Sequence, residues 1–118
     1  MNKIYNKKII ITGASGYLGS SFLNLLIKKN IYISTLGRKE IKNITNHYFN
    51  FNNLKLNNDI FKNCDYLIHF ASIAHTGINS EIIAKKDIMD PSIFLAKKAL
   101  ENNLEKFIYI SSSKSIDD

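Results

Sequence analysis

Strands that are apolar along their whole length constrain this chain more than any other feature of its sequence. The segments KKIIITG, DYLIHFAS and KFIYISSS place such runs near residues 7–12, 65–70 and 106–111. A strand without polar alternation is buried on both faces, which is typical of a parallel sheet covered by helices on both sides. The segments IYISTLG and HYFNF predict two further strands, near residues 31–36 and 47–51.

The segments between these strands show the apolar periodicity of helices. The first helical pattern ends near Lys29 and carries these apolar residues at helical spacing: Tyr17, Leu18, Phe22, Leu25 and Leu26. DIFKN predicts one or two helical turns, and a longer pattern over residues 81–103 is interrupted at Asp90-Pro91. Proline inside a helix costs about 3 kcal/mol, so we expect a break there, with Asp90 as N-cap and Pro91 at the first helical position. The right-handed crossover rule then predicts a Rossmann-like, doubly wound α/β sheet of about five parallel strands in the order 3-2-1-4-5.

A glycine turn joins the first strand to the first helix. Gly13, Gly16 and Gly19 form the pattern G-x-x-G-x-x-G directly after the strand. In such a turn the first glycine permits the tight bend, the second lets the backbone approach a pyrophosphate, and the third lets the helix pack closely. The helix amides and dipole then favour negative charge. No Gly-Lys-Ser/Thr follows, which excludes a P-loop, and a packing turn that binds nothing is the alternative.

Three motifs resemble the extended short-chain dehydrogenase/reductase family, the NAD(P)-dependent sugar-nucleotide epimerases, dehydratases and reductases. TGASGYLG is similar to the family's T-G-x-x-G-x-x-G, CDYLIHFAS to its D-x-V-I-H-L-A-A segment, and KFIYISSS to its F-V-Y-x-S-S strand. The resemblance covers nearly the whole chain. It implies that residues 1–118 are one partial NAD(P)-binding domain, truncated before the substrate-binding C-terminal domain.

The resemblance implies a set of residues at the cofactor. The expected cofactor-binding residues are Gly13, Ser15, Gly16, Tyr17, Leu18, Gly19, Arg38, Asn50, Phe51, Phe70, Ala71 and Ser72. Gly37 occupies the position where many dinucleotide enzymes carry an acidic residue, and Arg38 follows it. An arginine suits a 2′-phosphate, so the sequence favours NADP over NAD, and a surface arginine without that role is the alternative.

The catalytic serine of the family maps to Ser112, with Ser113 as the neighbouring alternative, and it would hydrogen-bond the reacting oxygen of a nucleotide sugar. The family's acid/base is a tyrosine in Tyr-x-x-x-Lys, about two dozen residues beyond this serine. None of the six tyrosines here is followed four residues later by lysine. The sequence also has DIMDPS where family members often have N-V-x-G-T. We therefore expect the 118 residues alone to be inactive.

The histidines and the single cysteine argue against a metal site. His69 lies inside an apolar strand, which favours a buried histidine held by hydrogen bonds over a catalytic base. His47 has no partner at ligand spacing, so we predict no metal. Cys64 is the only cysteine, which excludes an internal disulfide and fits a reduced, cytoplasmic setting.

Charge and hydropathy exclude other classes. The net charge is +6, but the lysines come in scattered pairs without a run of five or six. We therefore expect no nucleic-acid partner, and a solvated surface that at most attracts an anionic ligand. The apolar runs are too short for a membrane span or a signal peptide.

Two other functions stay open at the sequence level. One is a non-catalytic NAD(P) sensor or regulatory module, whose exposed sheet edge would need a partner or a homodimer to cover it. The other is a methyltransferase-like fold, against which the Thr12-led glycine spacing and the serine strand argue.

Overall fold

The five predicted strands form one parallel sheet. In a computed structural model of the protein, residues 7–14, 16–29, 31–71 and 89–111 are described. The strands, in chain order, are β1 (Lys8–Thr12), β2 (Tyr32–Gly37), β3 (Thr45–Tyr48), β4 (Tyr66–Ala71) and β5 (Lys106–Ser111). All the pairings are parallel and the order is β3-β2-β1-β4-β5, which confirms the predicted 3-2-1-4-5 sheet.

In the described ranges, two α-helices and one 3₁₀ helix lie between the strands. Helix α1 (Tyr17–Lys28) follows β1, the 3₁₀ helix (Asn58–Phe61) precedes β4, and helix α2 (Asp90–Glu101) precedes β5. DIFKN therefore contributes a single 3₁₀ turn rather than a longer helix. The helical pattern predicted over residues 81–88 lies outside the described residues.

The apolar β1 strand is explained by two cores. Ile9 and Ile11 face α1 and Ile10 faces the opposite side, and all three are fully buried. The core on the α1 side contains Ile9, Ile11, Ala14, Leu23, Leu26, Ile31 and Ile68. The core on the α2 side contains Ile10, Leu36, Phe49, Phe61, Cys64, Leu67, Leu95 and Ala99. Successive strand residues point to opposite faces, so a strand with a core on both sides shows no polar alternation.

Two local predictions are wrong. The third strand lies at Thr45–Tyr48 rather than near 47–51. Asn50 ends it, because its Oδ1 accepts the N–H of Asn52 at 2.9 Å and its carbonyl accepts the N–H of Asn53 at 2.9 Å, which turns the chain. Phe49 leaves the sheet and packs its ring against Phe94 at 5.9 Å.

The cap of α2 also differs from the prediction. Asp90 is the first residue of the helix and not its N-cap. Met89 takes the cap position with φ −67° and ψ −51°, so the backbone is already helical there and makes no side-chain cap. Pro91 is buried in the first turn, where its missing N–H removes no helical hydrogen bond.

Candidate functional site

The candidate site lies where the carboxyl ends of the central strands meet. Strand β1 is central, with β2 on one side and β4 on the other, and helix α1, which follows β1, and helix α2, which precedes β5, pack on opposite faces of the sheet. In open parallel sheets a crevice forms at such a switch point, outside the carboxyl ends of the strands. The glycine turn follows β1 directly, so it borders this crevice.

Two of the three glycines are required by the fold itself. Gly13 has φ +74°, and a Cβ there would lie 2.4 Å from the carbonyl oxygen of Phe70 in the neighbouring strand. A Cβ on Gly19 would lie 2.1 Å from the carbonyl oxygen of Gly13. Backbone atoms cannot yield to such contacts, so these two glycines allow the turn, β4 and α1 to pack together.

Gly16 is different, because neither conformation nor packing requires a glycine there. It is exposed, with φ −78° and ψ 172°, which is extended backbone that any residue adopts. Among the described residues, a Cβ on Gly16 would meet the carbonyl oxygen of Gly13 alone, at an ordinary 3.4 Å. The space over Gly16 is therefore left open on the outer side of the turn.

The amides that open α1 lie at the same place, and the first amides of a helix have no acceptor within the helix. Gly16 is the N-cap and makes no side-chain cap, and the first turn carries no acidic residue. The first helical bond runs from the N–H of Ser20 to the carbonyl of Gly16 at 2.8 Å, so the earlier amides of the helix have no carbonyl one turn back. Such donors, at the positive end of a helix dipole, suit a phosphate. The turn thus fits the pyrophosphate of a dinucleotide.

The neighbours of the turn are placed as follows. Leu18, the second residue of α1, is 45% exposed despite its apolar side chain. Tyr17 begins α1, and Ala71 ends β4. The predicted site residues Ser15, Ser72 and Ser112 lie outside the described residues.

Phe70 reaches the site through its backbone. Its ring packs on Phe22 of α1 with centroids 5.6 Å apart. Its carbonyl and Cβ lie under Gly13, at the positions a Cβ of Gly13 would strike. Phe70 therefore supports the turn, while its ring belongs to the core on the α1 side.

Asn50 and Phe51 follow β3. Asn50 Oδ1 accepts the Asn52 N–H, so its Nδ2 is the group directed outwards, 3.5 Å from the hydroxyl of Tyr48. The ring of Phe51 lies edge-on to Phe49 at 5.5 Å and to His69 at 6.0 Å. These residues bring an amide donor and an aromatic edge to the same side of the sheet as α2.

Asn46 of β3, which the sequence analysis missed, contacts the end of β2. Arg38 follows β2 and is exposed. Asn46 Oδ1 accepts the hydroxyl proton of Thr35 at 2.6 Å, and its Nδ2 donates to the carbonyl of Gly37 at 3.0 Å. The register pairs Thr35 with Asn46 directly, and that register was not available from a third strand predicted near residues 47–51.

His69 is fully buried and held at both ring nitrogens, which confirms the predicted buried histidine. Nδ1 is hydrogen-bonded to the hydroxyl of Thr12, the last residue of β1, and Nε2 lies 3.0 Å from the hydroxyl of Ser92 in α2. Burial lowers the pKa of His69 to about 4, so the ring is neutral near pH 7. The sequence analysis missed Ser92, because a single serine in a helix carries no pattern that marks it as a partner of His69.

Among the residues that the structure describes, the titratable candidates Cys64 and His47 show no catalytic arrangement. Cys64 is buried, and burial raises the pKa of its thiol to about 11. The pKa of His47 is lowered by partial burial and by Lys8. His47 lines an open groove of about 500 Å³ beside β3, together with Lys55 and Asn57. Within the described ranges, no group of three or more His, Cys, Asp or Glu side chains is arranged to hold a metal.

The parallel sheet and the glycine turn define a Rossmann-like α/β protein. The family model of the NAD dependent epimerase/dehydratase family matches residues 9–118, and the chain belongs to that family. UDP-glucose 4-epimerase from Vibrio cholerae is 26% identical over 116 residues, covering 92% of this chain.

Solved structures show the same fold. The Bordetella bronchiseptica enzyme WbmH in complex with NAD⁺ superposes with a TM-score of 0.70, at 20% identity, over 87% of this chain and 38% of that one. UDP-glucose 4-epimerase from Thermotoga maritima with UDP-glucose gives 0.71, at 22% identity, over 86% of this chain and 37% of that one. The chain spans 35% of the length of the Vibrio relative. Neither helix in the described part of the chain has the length and apolar character needed to cross a membrane.

Proposed function

We propose that this chain is the NAD(P)-binding part of an enzyme that acts on a nucleotide sugar, as an epimerase, dehydratase or reductase. Membership of the epimerase/dehydratase family supports this. So do the relatives named UDP-glucose 4-epimerase and a structural neighbour in complex with NAD⁺. Gly16 is the observation that carries the proposal. The fold does not require a glycine at this position, but a pyrophosphate that binds against the turn requires a residue without a side chain.

The residues have separate tasks in this proposal. The amides that open α1 bind the pyrophosphate, with Ser15, Tyr17 and Leu18 beside it. Asn50 and Phe51 border the adenine. The bound cofactor would supply a hydride acceptor and donor at its nicotinamide ring, beside the end of β4 at Ala71 and Ser72.

Arg38 and Ser112 have the two finer tasks. Arg38, exposed where β2 ends, favours the 2′-phosphate of NADP over NAD. Ser112 follows β5, whose last residue Ser111 is paired with Ala71, so it would hold the reacting oxygen of the sugar next to the nicotinamide. Since the 118 residues contain no Tyr-x-x-x-Lys, we expect them to bind cofactor without turnover.

Gly16→Ser tests the pyrophosphate site without harming the fold. Serine is at least as good an N-cap as glycine, so the free energy of unfolding should stay the same or rise by a few tenths of a kcal/mol. Its side chain would occupy the space over the turn and cap the donors that phosphate needs, so NADPH affinity should fall by at least about tenfold. Calorimetric titration of the full chain measures the affinity, and urea unfolding measures the stability.

Asn24→Ser is the matched control, since Asn24 is exposed on α1 two turns from the glycine turn. It should bind NADPH like the parent chain. Equal NADPH affinity in Gly16→Ser and Asn24→Ser would remove the pyrophosphate site from the glycine turn. A parent chain that binds neither NADPH nor NADH would remove the proposed function.

A non-catalytic NAD(P)-binding module is the second candidate, because the phosphate-binding turn is the part of the proposed site that the described residues contain. Both candidates share the binding step. Because the 118 residues are expected to show no turnover in either case, the native protein from its source is incubated with NAD⁺ and UDP-glucose. An enzyme would show reduced-nicotinamide absorbance or altered sugar, and a sensor would show neither.

A further inference from the structure

The peptide that joins Gly37 to Arg38 is held unusually firmly for the end of a strand. The carbonyl oxygen of Gly37 accepts two hydrogen bonds, from Asn46 Nδ2 at 3.0 Å and from the N–H of Phe49 at 3.2 Å. Asn46 is fixed in turn by Thr35, whose hydroxyl donates to Asn46 Oδ1 at 2.6 Å and whose side chain is buried. Because Oδ1 takes the hydroxyl proton, the amide of Asn46 must present Nδ2 to Gly37.

This arrangement decides where the N–H of Arg38 points. Both donors to Gly37 come from β3 or the residue after it, so the Gly37 carbonyl points towards β3. No cis peptide is present among the described residues, and in a planar trans peptide the N–H points away from the carbonyl. Since β2 lies between β3 and β1, the Arg38 N–H points towards β1.

The space on that side is the crevice of the candidate site. Strand β1 ends at Thr12, which pairs with Leu36, and the chain turns away at Gly13. The N–H of Arg38, two residues beyond Leu36, therefore has no strand residue beside it. Gly37 adds no side chain, and even a Cβ there would meet only Asn46 Oδ1, at 4.0 Å. The end of β2 thus offers a backbone donor and an exposed guanidinium instead of a carboxylate.

We propose that Asn46 is a positioning residue for cofactor specificity, which holds the Gly37–Arg38 peptide so that its N–H and the Arg38 side chain together receive the 2′-phosphate of NADPH. This inference rests on the proposed NAD(P)-binding function. A carboxylate at the end of the second strand would accept bonds from a ribose hydroxyl, whereas two donors suit a phosphate dianion. Asn46 touches no cofactor atom itself and acts through the peptide it orients.

Three variants of the full chain test this, each titrated with NADPH and NADH by nicotinamide fluorescence. Asn46→Ala frees the Gly37 carbonyl from one donor, and Thr35→Val removes the hydroxyl that orients Asn46. Both variants should weaken NADPH binding by about tenfold and NADH binding by less than about threefold, as expected for one misplaced hydrogen bond to a charged group. Thr35→Ser keeps the hydroxyl and should keep the parent ratio of the two affinities, even where it lowers stability.

The ratio of affinities separates positioning from a merely structural role. Equal losses for NADPH and NADH in Asn46→Ala, or a change of ratio in Thr35→Ser as large as in Thr35→Val, would overturn the assignment of Asn46. A parent chain that binds NADH more tightly than NADPH would also overturn it while leaving the glycine-turn proposal intact. A parent chain that binds neither nucleotide would overturn both.

Discussion

Acid should destabilise this protein through His69 before it acts on most carboxylates. The ring is fully buried between β1, β4 and α2, with Thr12 at one nitrogen and Ser92 at the other. Burial lowers its pKa from 6.5 to about 4. Between these two pH values the unfolded chain binds a proton at this position and the folded chain does not, so stability is full above pH 6.5 and is lost as the pH falls.

The size of the loss follows from the two pKa values. Each pH unit of difference between folded and unfolded pKa corresponds to roughly 1.4 kcal/mol. The free energy of unfolding should therefore fall by about 2 kcal/mol between pH 7 and pH 5, and by about 3 kcal/mol at pH 4. Such a loss is a large share of the stability of a domain of this size.

Urea unfolding at several pH values between 7 and 4, followed by circular dichroism, measures this loss. His69→Gln keeps a donor and an acceptor without titrating, so its stability should be lower at pH 7 but flatter in acid. His47→Gln is the comparison variant: the pKa of His47 is also lowered, but this histidine is only partly buried, so its removal should flatten the slope less than His69→Gln does. If His69→Gln and the parent lose stability in parallel from pH 7 to pH 4, His69 does not carry the acid sensitivity.

Two further predictions concern packing and burial. Gly19→Ala should cost about 2 kcal/mol or more, because its Cβ would lie 2.1 Å from a backbone oxygen. Gly37→Ala, whose Cβ has room, should be close to neutral, and similar urea midpoints for the two variants would contradict this reasoning. The Cys64 thiol is buried with a pKa of about 11, so a disulfide reagent should modify it only as fast as the chain unfolds, and rapid modification of the native protein would refute that.

Most of the sheet was predictable because its apolar strands carry a signal of their own. Strands β1 and β4 are apolar along their length because cores cover both of their faces, whereas the equally apolar β5 lies at the edge of the described sheet with Ile108 36% and Tyr109 43% exposed. The edge strand β3 has no such signal, since Thr45 and Tyr48 are exposed there. Its bounds depend instead on the turn made by Asn50, and side-chain-to-backbone hydrogen bonds of this kind are hard to place from sequence.

The candidate site was predictable to the extent that it is local. The glycine turn is contiguous, so its spacing after a strand was sufficient to find it. Asn46 and Ser92 are different, because each contributes through a partner on another element. Asn46 of β3 donates to Gly37 of the neighbouring strand β2, and Ser92 of α2 lies 3.0 Å from His69 of β4. A single asparagine or serine has no sequence pattern, so the role of each residue follows only from the packing of its element against the partner.

The proposed site therefore separates the residues that a cofactor would touch from those that hold them in place. The groups facing the crevice are backbone N–H donors, at the start of α1 and at Arg38, which any sequence can supply. Their proposed directions depend on side chains behind them: the buried Thr12 precedes Gly13 and is tied to His69, while the partly buried Asn46 donates to the carbonyl of Gly37. Because backbone donors cannot be deleted by substitution, changes at the buried partners are the more informative experiments. They should alter affinity and cofactor preference without removing any atom that contacts the ligand.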